Sequence, residues 1–488
     1  MTTGFVSSWI GVPHHVRSVR RHGDASAKTP LYMVWERCSR RECLRYLSTG
    51  LLAGCLAPAA APAWPLFSGL RHTPAFDQLY RLQWEAPDGP ESVRVSAVNE
   101  AECYDDLVQQ ADVVLLGEHH NSSLDHDIES RVIAGMSLHI PGEGIRRQAA
   151  DGRGPLLVGL EMVEEEHQQV LDDFVAGKMS EEELYERTDW ESNWVWPYER
   201  YLNLLRTCKS LGIRMIALNM DARHTRQVLS RGMQGILEDR TLRRQYFGDD
   251  KRQAVRFAQY AMLPEFRLYT SEVIHQHYLF HKRMQLLAPE TDFEKFLAAR
   301  MMRDQVLADR IRQHLREGAA TGLQRKMVVC CGADHVKFAM GVRARLEWDT
   351  PTPQHPAVSG EALAAAESTA AQVAATSETA VRVRSIMLNP TTFDTGVRSA
   401  DGTVEHRRRA KPRERMRLRL AMLDRDAPYV PLETLHRVVG PEVLPDVAQV
   451  AGTEGEPVSM GDAAQRSRPL LLSDYVWVAA SKASTIFL

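Results

Sequence analysis

Four short apolar runs punctuate the middle of the chain: VVLLG at 113–117, LLVGLE at 156–161, IRMIAL at 213–218 and KMVVCCG at 326–332. Each run is continuous instead of alternating, the pattern of a strand covered on both faces. Between them apolar positions recur at helical spacing over about 124–138, 163–175, 181–187, 197–211 and 221–238, and a long helical stretch runs from about 250 to 317. This alternation predicts an α/β fold: a central, mostly parallel sheet flanked by helices, with the 250–317 stretch as an inserted helical segment. Near the end of the chain VRVRSIML, MRLRLAML and LLLSDYVWVA are strand-like. They predict a small β-rich C-terminal extension or additions to the main sheet.

Each central run stops at polar chemistry. Glu118, His119 and His120 follow the first, with Asp125 and His126 after a short loop; Glu161 ends the second; Asn219 and Asp221 follow the third; Asp334 and His335 follow the fourth. In open α/β sheets ligands bind in the crevice outside the carboxyl ends of the strands. Glu118 and His120 are two residues apart, so in extended backbone they share a face while His119 points away. Burying so many ionisable groups costs several kcal/mol apiece unless they are paired or hold a ligand. A shared crevice is the simpler account, although local roles compete with it. Asp125 and Asn121 suit a helix cap, His119 and His126 suit helix entry, Glu161 suits the dipole of a following helix, and His335 could be a lone surface histidine.

The whole chain supplies further bounds. Its 488 residues suffice for one large core or two modest ones with extensions. The formal charge of -3 gives no reason to expect a nucleic-acid partner. Seven cysteines lack any CxxC pair, and adjacent Cys330 and Cys331 suit neither a zinc knuckle nor a disulfide framework, so they are expected to be mostly buried thiols.

Residues 1–63 are expected to be a targeting region. Arg17, Arg20, Arg21, Lys28 and Arg37 outnumber Asp24 and Glu36 in a transit-like segment. SRRECLR, the mildly apolar YLSTGLLAGCLAPAAAPA and the cleavage-like Ala61-Pro62-Ala63 then follow in the order of a twin-arginine export signal. Two-step targeting of this kind predicts a plastid protein sent on to the thylakoid lumen. The alternative is bacterial: Leu52-Ala53-Gly54-Cys55 has the form of a lipoprotein box, which implies the periplasm or a lipid anchor at the cell envelope. No later run reaches the eighteen or so apolar residues of a membrane span. The expected organisation continues with a mature N-terminal segment at 64–94, the main domain at 95–350, an Ala/Ser-rich linker at 351–380 and the extension at 381–488. The basic run HRRRAKPRERMRLRL, 406–420, could make peripheral contact with an anionic membrane, or serve as a solvated loop or charged edge strand.

GEHH with its following histidine, GLEMVEEEHQQVLDDFVAG, WESNWVWPYERYLNLLRTCKSLGIRMIALN, FLAARMMRDQVLADRI and GADHVKFAMGV together resemble the ChaN-type haem-binding uptake family of the Tiki superfamily, from about residue 95 to 346. The resemblance implies two GxxH motifs, here Gly117 to His120 and Gly332 to His335, with Glu161 as the carboxylate of a neighbouring strand. It implies a central mostly parallel sheet with inserted helices, and haem or a related tetrapyrrole as ligand. Family ligation is by tyrosine, which makes Tyr198 and Tyr201 the candidates, although Trp190, Trp194 and Trp196 crowd around them as a core cluster would. Other relatives use similar motifs for metal-assisted or general-base hydrolysis. Where the family closes with Gly-x-Gly-Val-Pro, this chain has Phe338-Ala339-Met340-Gly341-Val342-Arg343, so the rim turn is expected to differ.

Three chemistries fit these residues. Haem needs an apolar slot, an axial donor and cations for its propionates; Tyr198, Tyr201, His126 and Arg200 are the candidate contacts, with Arg223 a second possible cation and Met262, Met301 and Met302 possible wall. A divalent metal could be held by His120, Glu161 and His335 with Glu118 as general base. Without a metal, His120 oriented by Glu118 could activate water or a hydroxyl for ester hydrolysis. His277 and His281 share a helix face at a metal-compatible spacing, but no glutamate lies between them, and a helix packed over the sheet with both at its polar margin is the competing account. A homodimer is compatible with all three.

Overall fold

A computed structural model of the chain describes residues 77–84, 93–140, 154–194, 196–248, 251–348, 381–391, 416–417, 419–422, 430–439, 470–481 and 486–487. The expected targeting region, the 351–380 linker and most of 64–94 and 406–420 lie outside the described residues.

The four central runs are strands, VRVRSIML and LLLSDYVWVA each contribute one more, and two further strands before residue 100 join them in one sheet. In chain order these are β1 (Gln78–Trp84), β2 (Val93–Val98), β3 (Val113–Glu118), β4 (Leu156–Glu164), β5 (Arg214–Asn219), β6 (Lys326–Gly332), β7 (Val383–Leu388) and β8 (Tyr475–Val478). Across the sheet the order is β2-β1-β8-β7-β3-β6-β4-β5. From β8 to β5 all neighbours are parallel. β1 is antiparallel to both β8 and β2. The chain is therefore α/β with a mostly parallel sheet.

Side chains alternate between two cores, one on each face. Val113, Leu115, Met327, Val329 and Cys331 join one; Val114, Leu116, Val328 and Cys330 join the other. Double coverage is the reason these strands are apolar throughout, at about 1.5–3 kcal/mol for each large aliphatic side chain removed from water. The described cysteines, Cys103, Cys208, Cys330 and Cys331, are buried free thiols.

Five helices matter for the site: α1 (Glu100–Gln110), α2 (Ser123–His139), α3 (Leu202–Ser210), α4 (Ala222–Arg231) and α5 (Phe293–Ala320). The expected insertion consists of Lys251–Met262, Pro264–Tyr269, a π turn at Thr270–Ile274, His275–Arg283 and α5. The helix expected over 163–175 starts later. β4 continues to Glu164 because Met162 and Val163 are still buried, and helix resumes only at Gln168–Val175.

The C-terminal extension adds to the main sheet. β7 and β8 lie between β3 and β1, so β3 is flanked on both sides. Asp474 accepts from the Ser385 N–H at 2.8 Å and the Arg343 guanidinium at 2.5 Å, tying the extension to the helix after β6. Two-residue pairings join Ala421–Met422 to Leu470–Leu471 and Met416–Arg417 to Ile486–Phe487. Among the described residues no helix is long and apolar enough to cross a membrane.

Candidate functional site

Topology brings the GxxH motifs together. β3 and β6 are adjacent with Glu118 opposite Gly332, and β4 lies on the other side of β6. The β4–β5 register shifts between Leu160 and Glu164. Within that irregular stretch Glu161 Oε2 accepts the Gly332 N–H at 2.7 Å. Gly332 is the hinge of the arrangement: a Cβ there would stand 2.7 Å from His120 Nε2 and 3.7 Å from Glu161 Oε2. Only glycine lets the His120 imidazole lie against the end of β6 beside Glu161.

Two imidazole–carboxylate units result. In the first, Glu118 Oε1 meets His120 Nδ1 at 2.5 Å and accepts from the Tyr201 hydroxyl at 3.0 Å. Its Oε2 faces His126 Nε2 at 3.3 Å. Burial opposes ionisation of Glu118, but the His120 and His126 contacts outweigh it and hold the carboxyl well below its usual range. In the second, His335 Nε2 meets Glu161 Oε1 at 3.0 Å and its Nδ1 bonds Asp304 of α5. Despite burial, His335 with support from His120 and Arg303 brings Glu161 down to about 2. His335 is raised: burial and the nearby Arg300 oppose its charge, and Glu161 and Asp304 more than compensate. Glu118, Glu161 and His335 are at most 1% exposed, whereas the His120 side chain retains 14%. His120 is the part of the cluster that reaches solvent.

The remaining candidates divide by position. Tyr201 is fully buried, its hydroxyl held by Glu118 and by Trp194 Nε1 at 3.2 Å. Burial pushes its ionisation well above the ordinary range. His126 is also fully buried, with Nδ1 on the Arg200 carbonyl at 3.0 Å and its ring 4.1 Å from that of Tyr201. Tyr198 points elsewhere, donating to the Glu181 carbonyl at 2.9 Å. Arg200 enters the network through its carbonyl. Arg223 is exposed and pairs with Asp221 and Glu166. Met301 and Met302 belong to the sheet core and Met262 packs at its margin.

Local roles account for several others. Asn219 Oδ1 takes the Met220 N–H at 2.9 Å and Asp221 caps α4, so the third strand end does not join the cluster: β5 is the sheet edge, beyond β4. Ser122, not Asn121 or Asp125, caps α2. Asp125 instead binds the His119 N–H and ring, both at 2.8 Å, and Asn389 at 2.7 Å. His277 reaches Asp334 and lies 6.0 Å, centroid to centroid, from His281. At the rim, Phe338 and Ala339 both hold φ 59°, and Ala339 stands where the related pattern has its first glycine. A Cβ on Gly341 would stand 2.2 Å from the His335 carbonyl oxygen, so that glycine is required by close approach.

Two site residues escaped the sequence reading. Asp304 sits in α5 among buried Met301, Met302, Val306 and Leu307, and a carboxylate on such an apolar face was a usable signal. Glu129 is fully buried beside Glu118, and burial together with that neighbouring charge pushes its carboxyl well up. Its signal was the i,i+3 spacing from His126, which puts both on one face of α2.

Comparison with protein-family models matches residues 106–346 to "Haem-binding uptake, Tiki superfamily, ChaN". This segment belongs to that family. Of two similar solved structures, the first is described as cofacial haem binding to ChaN of Campylobacter jejuni; it is 13% identical, covers 60% of this chain and 88% of its own, and has a TM-score of 0.36. The second, the type III effector HopBA1, is 11% identical and covers 60% and 82% with a TM-score of 0.27. No curated protein matches.

Proposed function

We propose that the ChaN-family segment binds haem or a related tetrapyrrole at the open edge of the strand-end cluster, for binding, transfer or scavenging. The observation carrying this reading is the family match over residues 106–346. The enclosed donors, His126, Glu161, Tyr201 and His335, leave no room for a macrocycle among them. The rim does offer suitable groups. His120 is partly open, the half-buried Trp196 has its ring 5.9 Å away, and Arg200 is half-buried nearby in sequence. These would supply an imidazole, an aromatic face and a cation for propionates, and haem when bound would supply the chemistry of an iron centre. Glu118 orients His120 by accepting a hydrogen bond from its Nδ1–H, which leaves Nε2 the basic nitrogen. Titrating haem into the purified protein should give a saturable Soret band that weakens in His120→Ala and persists in Tyr198→Phe. A titration without saturation refutes the reading.

One observation favours a second reading. His335 between Glu161 and Asp304, with His120 on Glu118, is also the arrangement of general-base or metal-assisted hydrolysis. Such turnover should survive without haem and vanish in His120→Ala, and chelators would separate its two forms. We also propose export of the mature protein, as the 39–63 segment supports; fractionation of a tagged full chain tests it.

A further inference from the structure

Behind the cluster, α2 carries His126 and Glu129 on one face toward Glu118. The three are at most 1% exposed, and one ligand atom from each lies within 4.8 Å of the others. Their outward atoms are satisfied. Glu118 Oε1 accepts from His120 and Tyr201, and His126 Nδ1 meets the Arg200 carbonyl. Since a carbonyl only accepts, that nitrogen carries a hydrogen, and Nε2 of the neutral ring presents a lone pair. It does so toward Glu118 Oε2 at 3.3 Å. Glu118 Oε2, His126 Nε2 and both Glu129 oxygens make no well-formed hydrogen bond among the described residues, although Glu129 stands close enough to Glu118 and to the Cys330 thiol to interact with both. Lone pairs therefore converge from three sides on one enclosed point, a costly arrangement unless something positive occupies it. A proton on His126 would serve only the Glu118 contact; a proton on Glu129, which burial and the Glu118 charge favour when no cation is present, would serve Glu118 and still leave the His126 lone pair without a donor. A divalent cation removes the repulsion that keeps Glu129 protonated: with both carboxylates ionised and the imidazole neutral, it balances two negative charges while engaging all three groups.

We propose that Glu118, His126 and Glu129 form a closed site for a first-row divalent metal ion, with imidazole and carboxylate donors suited to manganese, iron or zinc. The enclosure marks it as structural. The ion would pin α2 to the end of β3 and fix Glu118, hence His120. This inference is independent of the tetrapyrrole reading and of a metal on His120, Glu161 and His335.

The test is elemental analysis of the full chain, purified without chelator, with an absorption spectrum of the same sample to exclude haem iron. About one equivalent of manganese, iron or zinc is expected, as for a single closed site. Glu129→Gln and His126→Gln should weaken retention roughly tenfold or more, whereas His335→Gln should retain the metal. Should either of the first two fail to fold, wild-type protein stripped and reloaded with Co(II) decides: weak d–d bands without a thiolate charge-transfer band are expected. Metal-free protein that neither binds added Mn(II) or Zn(II) nor gains thermal stability from them overturns the proposal. So does loss of metal in His335→Gln with retention in Glu129→Gln.

Discussion

Replacing Glu161 by glutamine removes one charge from a fully enclosed carboxylate while leaving an oxygen for the Gly332 N–H. The carboxyl ordinarily titrates near 4.5 and in the fold near 2. At roughly 1.4 kcal/mol per pH unit, that interval is worth about 3 kcal/mol of stability. The sign follows from linkage. A carboxyl more acidic in the folded than the unfolded state stabilises above pH 4.5, and the contribution disappears as pH falls toward 2. Urea denaturation of wild type and Glu161→Gln at several pH values follows Glu161 together with its partner His335, because titrating groups outside that pair are common to both proteins. The variant should be less stable by about 3 kcal/mol at pH 7, and the gap should narrow to about 1 kcal/mol at pH 3. A gap that stays constant from pH 7 to pH 3, or none at pH 7, refutes the view that His335 and its neighbours hold Glu161 ionised.

Gly332→Ala forces a methyl group onto His120 Nε2 and should cost about 1–3 kcal/mol in thermal or urea denaturation. Ala339→Gly relieves a φ of 59° and should stabilise by about 1 kcal/mol. Burial, reinforced by Asp221 and Glu166, raises Glu164 to about 7, so its charge opposes folding as pH rises from 4.5 to 7. Glu164→Gln should therefore gain up to about 3 kcal/mol at pH 8 relative to wild type and nearly nothing at pH 4. Tyr201→Phe removes a buried donor from Glu118 and should cost about 1–3 kcal/mol, more than Tyr198→Phe, whose lost partner is a single carbonyl.

Much of this organisation was legible along the chain. Continuous apolar runs marked β3 to β6 because a strand covered on both faces must be apolar at every position, and the polar groups after three of those runs do meet. Less local features were not legible. The third strand end stays apart because β5 is the sheet edge, a matter of strand order that no run of residues encodes. β7 and β8 join the main sheet although the 351–380 linker precedes β7 and 86 residues separate Leu388 from Tyr475, and parallel pairing leaves no turn signal to announce itself. Asp304 and Glu129 became site residues only when their helices packed over strand ends. Sequence determined which segments are strands and where their acids and imidazoles lie, because those are consequences of local burial period. Tertiary structure alone decided which of these groups share a partner, because pairing depends on distances set by sheet order and helix packing.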